Sequence, residues 1–392
     1  MKDHRMNESI VEKYCCGCGL CSGSIAGKEN DKGYYRPDLS REHADFDFSV
    51  CYCNHLNTNV ENGLWGKYEK LYYGYAKDST VRKKASSGGM LTSIAQFLVQ
   101  SKVVDAVIQI CPKNGDPLKT EVAVNKTADA IQNCAGSRYT ASAALLGFLE
   151  KIEKGKKYAV IGKPCDISVL RAFLNGNSEI NTQIICLLSF FCGGTPSLQA
   201  NDKLLAAMNV KRDNVHSFTY RGDGWPGETV CIEHSGEKHC TQYEESWGKI
   251  LGRDLQEICR FCWEGVGESA DISCGDGWYL VDGKPSFQEN EGRNVVIARS
   301  KVGTDILTQM YNANMIDLRE LDDEKELLMM QPGQLMRKAA MFSRVLAMKL
   351  LHKEVPRYKM RKILPYAKYL TLEHNIRMFG GTVRRILSGK IK

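Results

Sequence analysis

Sixteen cysteines in a chain of 392 residues constrain this protein more than any other feature of its sequence. The length argues against a small disulfide scaffold, because a chain this long can bury a sizeable core without covalent staples. The N-terminal sequence MKDHRMNESIVEKY is charged and lacks the apolar segment of a secretory signal. The longest apolar stretch, around residues 184–192, is too short to span a membrane. We therefore expect a cytoplasmic protein whose thiols serve metal binding or redox chemistry.

The charge is divided unevenly along the chain. Residues 332–392 carry fifteen Lys or Arg against two acidic residues, a net charge of +13, whereas the first 331 residues have a net charge of −6. Apolar residues recur in this tail at helical spacing, namely Leu335, Ala339, Phe342, Leu346 and Leu350. With Arg337 and Arg344 expected on the opposite side, the pattern predicts an amphipathic basic helix.

Such a helix suits an acidic ferredoxin, or the anionic lipid at the inner face of a membrane to which the protein would then be peripheral. The alternative is a helix that packs on the protein's own body. Nucleic acid is a less favoured partner, because no recognised binding module accompanies the basic residues.

The chain divides into three predicted segments. Residues 1–70 are cysteine-rich and weakly periodic, which indicates loops around a bound group, and residues 332–392 read as helices broken at Pro356 and Pro365. Residues 71–331 alternate between segments with helical spacing of apolar residues and short β-branched runs typical of strands. The helices are predicted near 86–100, 140–153, 167–174 and 302–314. This alternation predicts an α/β core with a largely buried mixed sheet that grades into α+β beyond residue 217.

The strongest local signal is Cys15-x-x-Cys18-x-x-Cys21. Close spacing of thiolates lets one loop hold several corners of an iron–sulfur cluster, although tetrahedral zinc suits the same ligands. The fourth ligand must come from elsewhere, and Cys51 or Cys53 is nearest in sequence. Cys16 is the spare member of the group and is expected to pack as a small apolar residue.

A second pair, Cys259 and Cys262, forms a CxxC motif that needs two further ligands. Cys165 and Cys192 follow predicted strands, at the positions where an α/β sheet places its functional loops. The remaining unclustered cysteines are expected to be buried structural thiols, namely Cys111, Cys134, Cys186, Cys231, Cys240 and Cys274.

Two glycine-rich segments could hold a ligand. Ser86-Ser87-Gly88-Gly89 directly precedes a predicted amphipathic helix, where small residues and the helix N-terminus favour a phosphate or a ring. The alternative for Ser86 or Ser87 is an ordinary helix cap. The string from Gly222 to Gly227 matches GxGxxG, but Pro226 interrupts it and a strand is predicted to follow, so we expect a loop.

Seven motifs in order resemble one known family: CCGCGLC, KDSTVRKKASSGGMLTSIAQFLVQSKVVDAVI, AGSRYTAS, VIGKPCDISVLRAFL, FFCGGTPS, FTYRGDGWP and CRFCWEGVGESADISCGDGW. They are similar to the beta-subunit family of coenzyme F420 hydrogenases and dehydrogenases, which includes 7-hydroxymethyl chlorophyll a reductase and stand-alone bacterial members. The resemblance runs from about Tyr14 to Leu321. It implies an iron–sulfur flavoprotein.

The resemblance also implies which residues bind the cofactors, one or two [4Fe-4S] clusters and FAD. The common cluster would be held by Cys165, Cys192, Cys259 and Cys262. The N-terminal cluster would be held by Cys15, Cys18, Cys21 and Cys51, although Tyr52 stands where the family's proline is expected and Cys53 is an alternative. The flavin would contact Ser86, Ser87, Gly88, Gly89, Ser137 and Arg138.

One departure from the family pattern concerns Lys163, which takes the place of a threonine before Pro-Cys. It puts a cation where flavin or substrate is expected, so it is predicted to bind the cofactor and to stabilise a reduced, anionic flavin or an acidic substrate.

The resemblance implies an enzyme that takes electrons from a one-electron donor such as ferredoxin. It would pass them through the clusters to FAD and on to a small organic molecule or deazaflavin coenzyme. The alternatives are an electron-transfer subunit without its own substrate, and a zinc-binding structural protein that shares only the fold.

Overall fold

The structure, a computed structural model, describes residues 10–11, 13–39, 46–55, 62–389 and 391. Its strands are β1 (Gly27–Glu29), β2 (Tyr35–Pro37), β3 (Lys70–Ala76), β4 (Ala106–Lys113), β5 (Asp116–Asn125), β6 (Tyr158–Ile161), β7 (Ile184–Phe190), β8 (Val215–Thr219), β9 (Thr229–Glu233), β10 (Lys238–Thr241), β11 (Ile272–Asp276), β12 (Leu280–Val281), β13 (Lys284–Pro285), β14 (Asn294–Ala298) and β15 (Ile316–Glu320). They form an eight-stranded sheet, a three-stranded sheet and two hairpins.

The eight-stranded sheet has the order β15-β3-β14-β11-β7-β6-β4-β5. Its four central strands, β11, β7, β6 and β4, run parallel to one another, and the outer pairs are antiparallel. The central strands are largely buried, and β6 and β7 are nearly continuous apolar runs, as is typical of parallel strands covered on both faces. The predicted mixed-sheet fold is confirmed, and the carboxyl ends of the parallel strands meet at one edge.

The α-helices are α1 (Tyr52–His55), α2 (Ser79–Lys84), α3 (Met90–Gln100), α4 (Ala128–Asn133), α5 (Phe148–Lys151), α6 (Pro164–Asn175), α7 (Ser178–Gln183), α8 (Leu198–Ala207), α9 (Lys301–Asn312), α10 (Glu324–Met330), α11 (Pro332–Ala339), α12 (Met341–Leu350), α13 (Met360–Ile363) and α14 (Leu372–Leu387). The helices predicted near 86–100, 167–174 and 302–314 correspond to α3, α6 and α9. The tail is interrupted on both sides of α13, around Pro356 and Pro365, as predicted.

The helix predicted over residues 140–153 is wrong except for α5. Gly147 precedes α5 with φ of 62°, and this left-handed conformation prevents a continuous helix from residue 140 into α5. The upstream residues bond to other segments instead: Leu145 N–H donates to the carbonyl of Cys18 at 2.8 Å, and the carbonyl of Ser142 accepts from Lys163 Nζ at 3.1 Å. Tertiary contacts therefore override the helical periodicity of this segment.

The basic tail packs on the body of the protein. Met341, Val345 and Met348 of α12 share one apolar core with Tyr14 and with the N-terminal cysteines. The predicted single amphipathic helix is wrong, because Ala340 separates α11 from α12.

The predicted orientation of the two tail arginines is also wrong. Arg337 and Arg344 turn towards the body, where they donate to the backbone carbonyls of Gly193 and Arg260. The alternative of a tail that packs on its own body is therefore what the structure contains.

Among the described residues, no helix combines the length and the apolar character needed to cross a bilayer. The C-terminal helix α14 leaves Leu372 and Leu387 each 77% exposed, beside the exposed Arg377 and Arg384. The predicted contact of the tail with a membrane surface stays a prediction.

Candidate functional site

The N-terminal cysteines converge on one small cavity. Leu20–Gly23 forms a 3-10 turn, and Gly17 and Gly19 adopt φ of 72° and 85°, which bends the loop back on itself. The cavity is lined by four of the predicted ligands and one further thiol, namely Cys15, Cys18, Cys21, Cys51 and Cys16. Cys51 lines this cavity whereas Cys53 does not, although Cys53 is buried and interacts with Cys15 and Cys16.

Cys16 is buried in the apolar core, as predicted, but its sulfur also has polar neighbours. Its Sγ, the Sγ of Cys165 and a carboxylate oxygen of Asp166 lie within 4.8 Å of one another. Cys16 therefore contacts the thiol expected to belong to the other ligand set, and the two sets of cysteines adjoin each other at this point.

Cys192, which follows β7, forms a second group with Cys259 and Cys262. Cys165, the fourth ligand predicted for this set, lies against Cys16 and Asp166. Burial raises the pKa of Cys192, with the negative charge of Cys259 adding to the shift. Two backbone N–H groups point at these sulfurs: Gly194 donates to Cys192 at 3.3 Å and Thr195 donates to Cys259 at 3.4 Å. Donors of this kind are typical of sulfur atoms that carry negative charge.

The environment of Cys262 opposes the cost of burying a thiolate. Burial raises the pKa of Cys262 to about 12, while the positive charge of Arg337 and a hydrogen bond from the Tyr52 hydroxyl act in the opposite direction. Arg337 interacts with all three sulfurs of this group. The group thus combines three sulfur atoms that can bind metal, two N–H groups that donate hydrogen bonds to sulfur, and one cation. This combination fits an anionic iron–sulfur centre.

A larger cavity of about 230 Å³ adjoins this second group. It is lined by six of the seven residues predicted to bind flavin, namely Ser86, Ser87, Gly89, Ser137, Arg138 and Lys163. Cys192 and Gly193 form another part of its wall, so the cavity touches the cysteine group directly. Its volume is just below the ~300–1,000 Å³ of typical ligand pockets, so a flavin dinucleotide would be enclosed only in part.

The Ser-Ser-Gly-Gly segment builds one wall of this cavity. The N-cap of α3 is Gly89, with φ of 76° and no side-chain cap, so the alternative of a helix cap by Ser86 or Ser87 is not what the structure contains. Ser86 Oγ instead accepts from Ser137 N–H at 2.5 Å, and Ser87 Oγ donates to the carbonyl of Arg293 at 2.8 Å. Gly88 does not line the cavity; a Cβ on it would lie 2.8 Å from the backbone of Arg293. The bond between Ser86 and Ser137 fixes the two predicted flavin segments against each other.

The two cations of the cavity differ in their partners. Lys163 is 5% exposed, and its Nζ lies 2.6 Å from a carboxylate oxygen of Asp166. Burial alone would lower the pKa of Lys163, but Asp166, Cys165 and Cys16 together outweigh it and raise the pKa above the usual range. Arg138 has no such carboxylate: its Nε is buried without a hydrogen-bond partner among the described residues, and burial lowers its pKa. An anionic group in the cavity would satisfy this guanidinium.

Sequence reasoning missed several residues of this region. Arg221 and Asp276 form a two-bonded ion pair in the cavity wall, at 3.0 and 3.1 Å, and Trp225 Nε1 donates to the same carboxylate at 3.0 Å. The predicted loop from Gly222 to Gly227 is present and carries Trp225. The sequence signal that could have identified this part of the cavity wall is Arg221, which follows β8 and precedes Gly222 and Gly224.

The unclustered cysteines follow the prediction only in part. Cys186, Cys231 and Cys274 are buried free thiols, as predicted. The predictions for Cys111 and Cys134 as free thiols are wrong, because the two form a disulfide that joins β4 to the segment after α4. Cys240 is exposed on the edge strand β10, so its predicted burial is wrong as well.

Comparison with known proteins places this architecture in a family. The N-terminal part of the coenzyme F420 hydrogenase/dehydrogenase beta-subunit family matches residues 71–150, and the C-terminal part of the same family matches residues 155–324. The first curated relative, F420-dependent formate dehydrogenase subunit beta of Methanocaldococcus jannaschii, is 25% identical over 240 residues. That match covers 58% of this chain and 59% of the relative.

Coenzyme F420 hydrogenase subunit beta of Methanococcus voltae is 22% identical over 270 residues, covering 67% of this chain and 88% of the relative. A chain of the F420-reducing [NiFe] hydrogenase complex from Methanosarcina barkeri shares the fold, with a TM-score of 0.54 and 19% identity over 73% of this chain and 96% of its own. Both family profiles match in sequence order, and together they cover more than half of the chain. The protein therefore belongs to the coenzyme F420 hydrogenase/dehydrogenase beta-subunit family.

Proposed function

We propose that this protein is an iron–sulfur flavoprotein oxidoreductase that carries electrons from a one-electron donor such as ferredoxin to a small organic acceptor or a deazaflavin coenzyme. Its relatives are subunits of hydrogenases and dehydrogenases, which supports an oxidoreductase role. The clusters would exchange single electrons and FAD would convert them into hydride chemistry. The sulfur-lined sites suit iron because all of their donors are thiols.

One observation carries this proposal: the cavity bounded by the predicted flavin residues shares Cys192 with the second cysteine group. A ring bound there would lie beside a sulfur-bound centre, without an intervening layer of protein. The contact between Cys16 and Cys165 brings the N-terminal group into the same continuous region. This arrangement supports electron transfer as the purpose of all three sites.

The chain's own residues would have distinct roles in this site. Arg138 would hold an anionic part of the cofactor, because its guanidinium lacks a carboxylate partner. Lys163, already paired with Asp166, would contribute a buried dipole to the cavity and orient the ring or an acidic substrate. Backbone N–H groups of Gly194 and Thr195 would hold the sulfurs of Cys192 and Cys259 in place.

We predict that Arg138→Met weakens flavin binding by about ten- to a hundredfold, the loss expected for one charge-assisted hydrogen bond or two. Equilibrium dialysis of FAD against anaerobically purified protein measures this change. Arg319→Met is the matched control, since Arg319 is exposed on the edge strand β15 and lies outside the cavity lining. Equal affinity in Arg138→Met and the unaltered protein would contradict the proposed role.

The second candidate function is an electron-transfer subunit that has no substrate of its own. The relatives favour it, because several are named as subunits of larger enzymes. Anaerobic assays of the isolated chain with reduced ferredoxin separate the two functions, with F420 and other small acceptors screened in parallel. Turnover by the chain alone supports an enzyme, and reduction of the chain without turnover supports a subunit.

A further inference from the structure

Tyr52 connects the two cysteine groups. Its neighbour in sequence, Cys51, lines the N-terminal cavity, and its own hydroxyl oxygen lies 3.1 Å from Sγ of Cys262 in the second group. The side chain is 2% exposed. A single residue thus joins one ligand set through the backbone and the other through a hydrogen bond.

The direction of this hydrogen bond follows from counting donors and acceptors. A phenolic oxygen has one hydrogen to donate and two lone pairs to accept with. The backbone N–H groups of Trp263 and Glu264 donate to Tyr52 Oη at 3.1 and 3.0 Å, which uses both lone pairs. The hydroxyl hydrogen is therefore directed at Cys262 Sγ.

Donation to this sulfur has an electrostatic consequence. A hydrogen bond to a sulfur that carries negative charge is stronger than a neutral one, and burial strengthens it further. An iron–sulfur centre becomes more negative by one charge on reduction, so a donor to its sulfur stabilises the reduced form more than the oxidised form. Hydrogen bonds to the sulfurs are among the features that set the reduction potential of such centres.

We propose that Tyr52 is a positioning residue that fixes Cys262 Sγ and raises the reduction potential of the centre held by Cys192, Cys259 and Cys262. The inference rests on the proposed function, which supplies the iron–sulfur centre and the one-electron donor that reduces it. One electron enters the centre, and the Tyr52 proton stays on the phenolic oxygen throughout. The residue acts through Cys262 and takes no part in the exchange of electrons with substrate.

The test is anaerobic redox titration of the Tyr52→Phe variant, followed by electron paramagnetic resonance of its clusters. We expect unchanged iron content and one cluster that is about tenfold harder to reduce, a shift of about 59 mV to lower potential for a one-electron couple. The N-terminal cluster keeps its potential. A fluorinated tyrosine incorporated at position 52 donates more strongly, so it should shift the same cluster to higher potential without removing any side-chain contact.

Tyr358→Phe is the matched control. The Tyr358 hydroxyl is also buried and donates at 2.7 Å to the carbonyl of Phe261 in the same loop, but its bond goes to backbone and not to sulfur. A potential that is the same in Tyr52→Phe and the unaltered protein, or an equal shift in Tyr358→Phe, would overturn the inference while leaving the proposed function intact. An unaltered protein that binds no iron would overturn both.

Discussion

Replacing Cys262 or Cys165 by alanine is expected to remove roughly one cluster's iron from the anaerobically purified protein. Cys262 lies with Cys192 and Cys259, and the positive charge of Arg337 acts on all three sulfurs, so the environment of Cys262 suits a metal-binding thiolate. Loss of one of four thiolates leaves an iron site open, and such centres are generally unstable. Quantitation of iron and acid-labile sulfide, together with the visible absorbance, measures the loss.

Cys231→Ala provides the control for this prediction. Cys231 is fully buried on β9 in an apolar core with Phe218, away from both cysteine groups, so its removal should cost only packing energy. Equal iron content in Cys165→Ala, Cys262→Ala and Cys231→Ala would refute the ligand assignment. Loss of iron in Cys16→Ala, with retention in Cys165→Ala, would transfer the ligand role to Cys16.

The same comparison decides the fourth ligand at the N-terminal cavity. We expect Cys51→Ala to lose iron and Cys53→Ala to retain it, because Cys51 lines the cavity with the other three ligands. The reverse result would assign the role to Cys53.

Lys338→Met is expected to lower the free energy of unfolding by about 3–5 kcal/mol at alkaline pH, where Glu268 is ionised, because this is the usual cost of leaving a buried charge without its partner. Lys338 and Glu268 form an ion pair in which each side chain is 1% exposed, and Lys338 Nζ also donates to the carbonyl of Leu64 at 2.6 Å. This pair joins the tail helix α11 to the body. Its disruption should therefore loosen the segment that carries Arg337 towards the cysteine group.

The cost of Lys338→Met should depend on pH. Burial raises the pKa of Glu268 from 4.5 to about 7, with Lys338 opposing the shift, so removal of the lysine raises it further. A raised pKa means that the folded state binds the proton more tightly than the unfolded state. The cost of the substitution should therefore shrink as the pH is lowered from the alkaline range to about 7 and then level off, because Glu268 is protonated in both folded proteins at lower pH. Urea unfolding at several pH values measures this dependence.

Two further variants serve as controls for Lys338→Met. Lys338→Met combined with Glu268→Gln removes both charges and should recover part of the stability, whereas Lys325→Met affects an exposed pair with Asp323 and should change it by less than about 0.5 kcal/mol. A cost that stays constant from the alkaline range to pH of about 7 would contradict the role of the buried carboxylate.

The parts of the fold that depend on local periodicity could be predicted from the sequence. The central strands β6 and β7 are apolar runs with β-branched residues, and α3, α6 and α9 carry helical spacing that nothing nearby interrupts. The segment 140–153 has the same spacing but bonds to Cys18 and Lys163 in preference to itself. Such long-range hydrogen bonds leave no trace in the local pattern, so they could not be predicted.

The tail shows the same limit for the candidate site. Its charge and helical character could be predicted, but a basic face looks the same in sequence whether it meets solvent or the protein itself. Arg337 interacts with the three sulfurs of the second group, which reverses the orientation expected from the sequence. Likewise, Tyr52 stood out only as a departure from proline, and its bond to Cys262 spans 210 residues.

The metal and flavin content of the anaerobically purified chain tests the central claim most directly. The account predicts a brown protein with iron and sulfide for two clusters, about one flavin per chain, and an absorbance that bleaches when dithionite is added. A colourless protein that contains zinc and no flavin would contradict it, and the cysteine groups would then be structural metal sites on a shared fold.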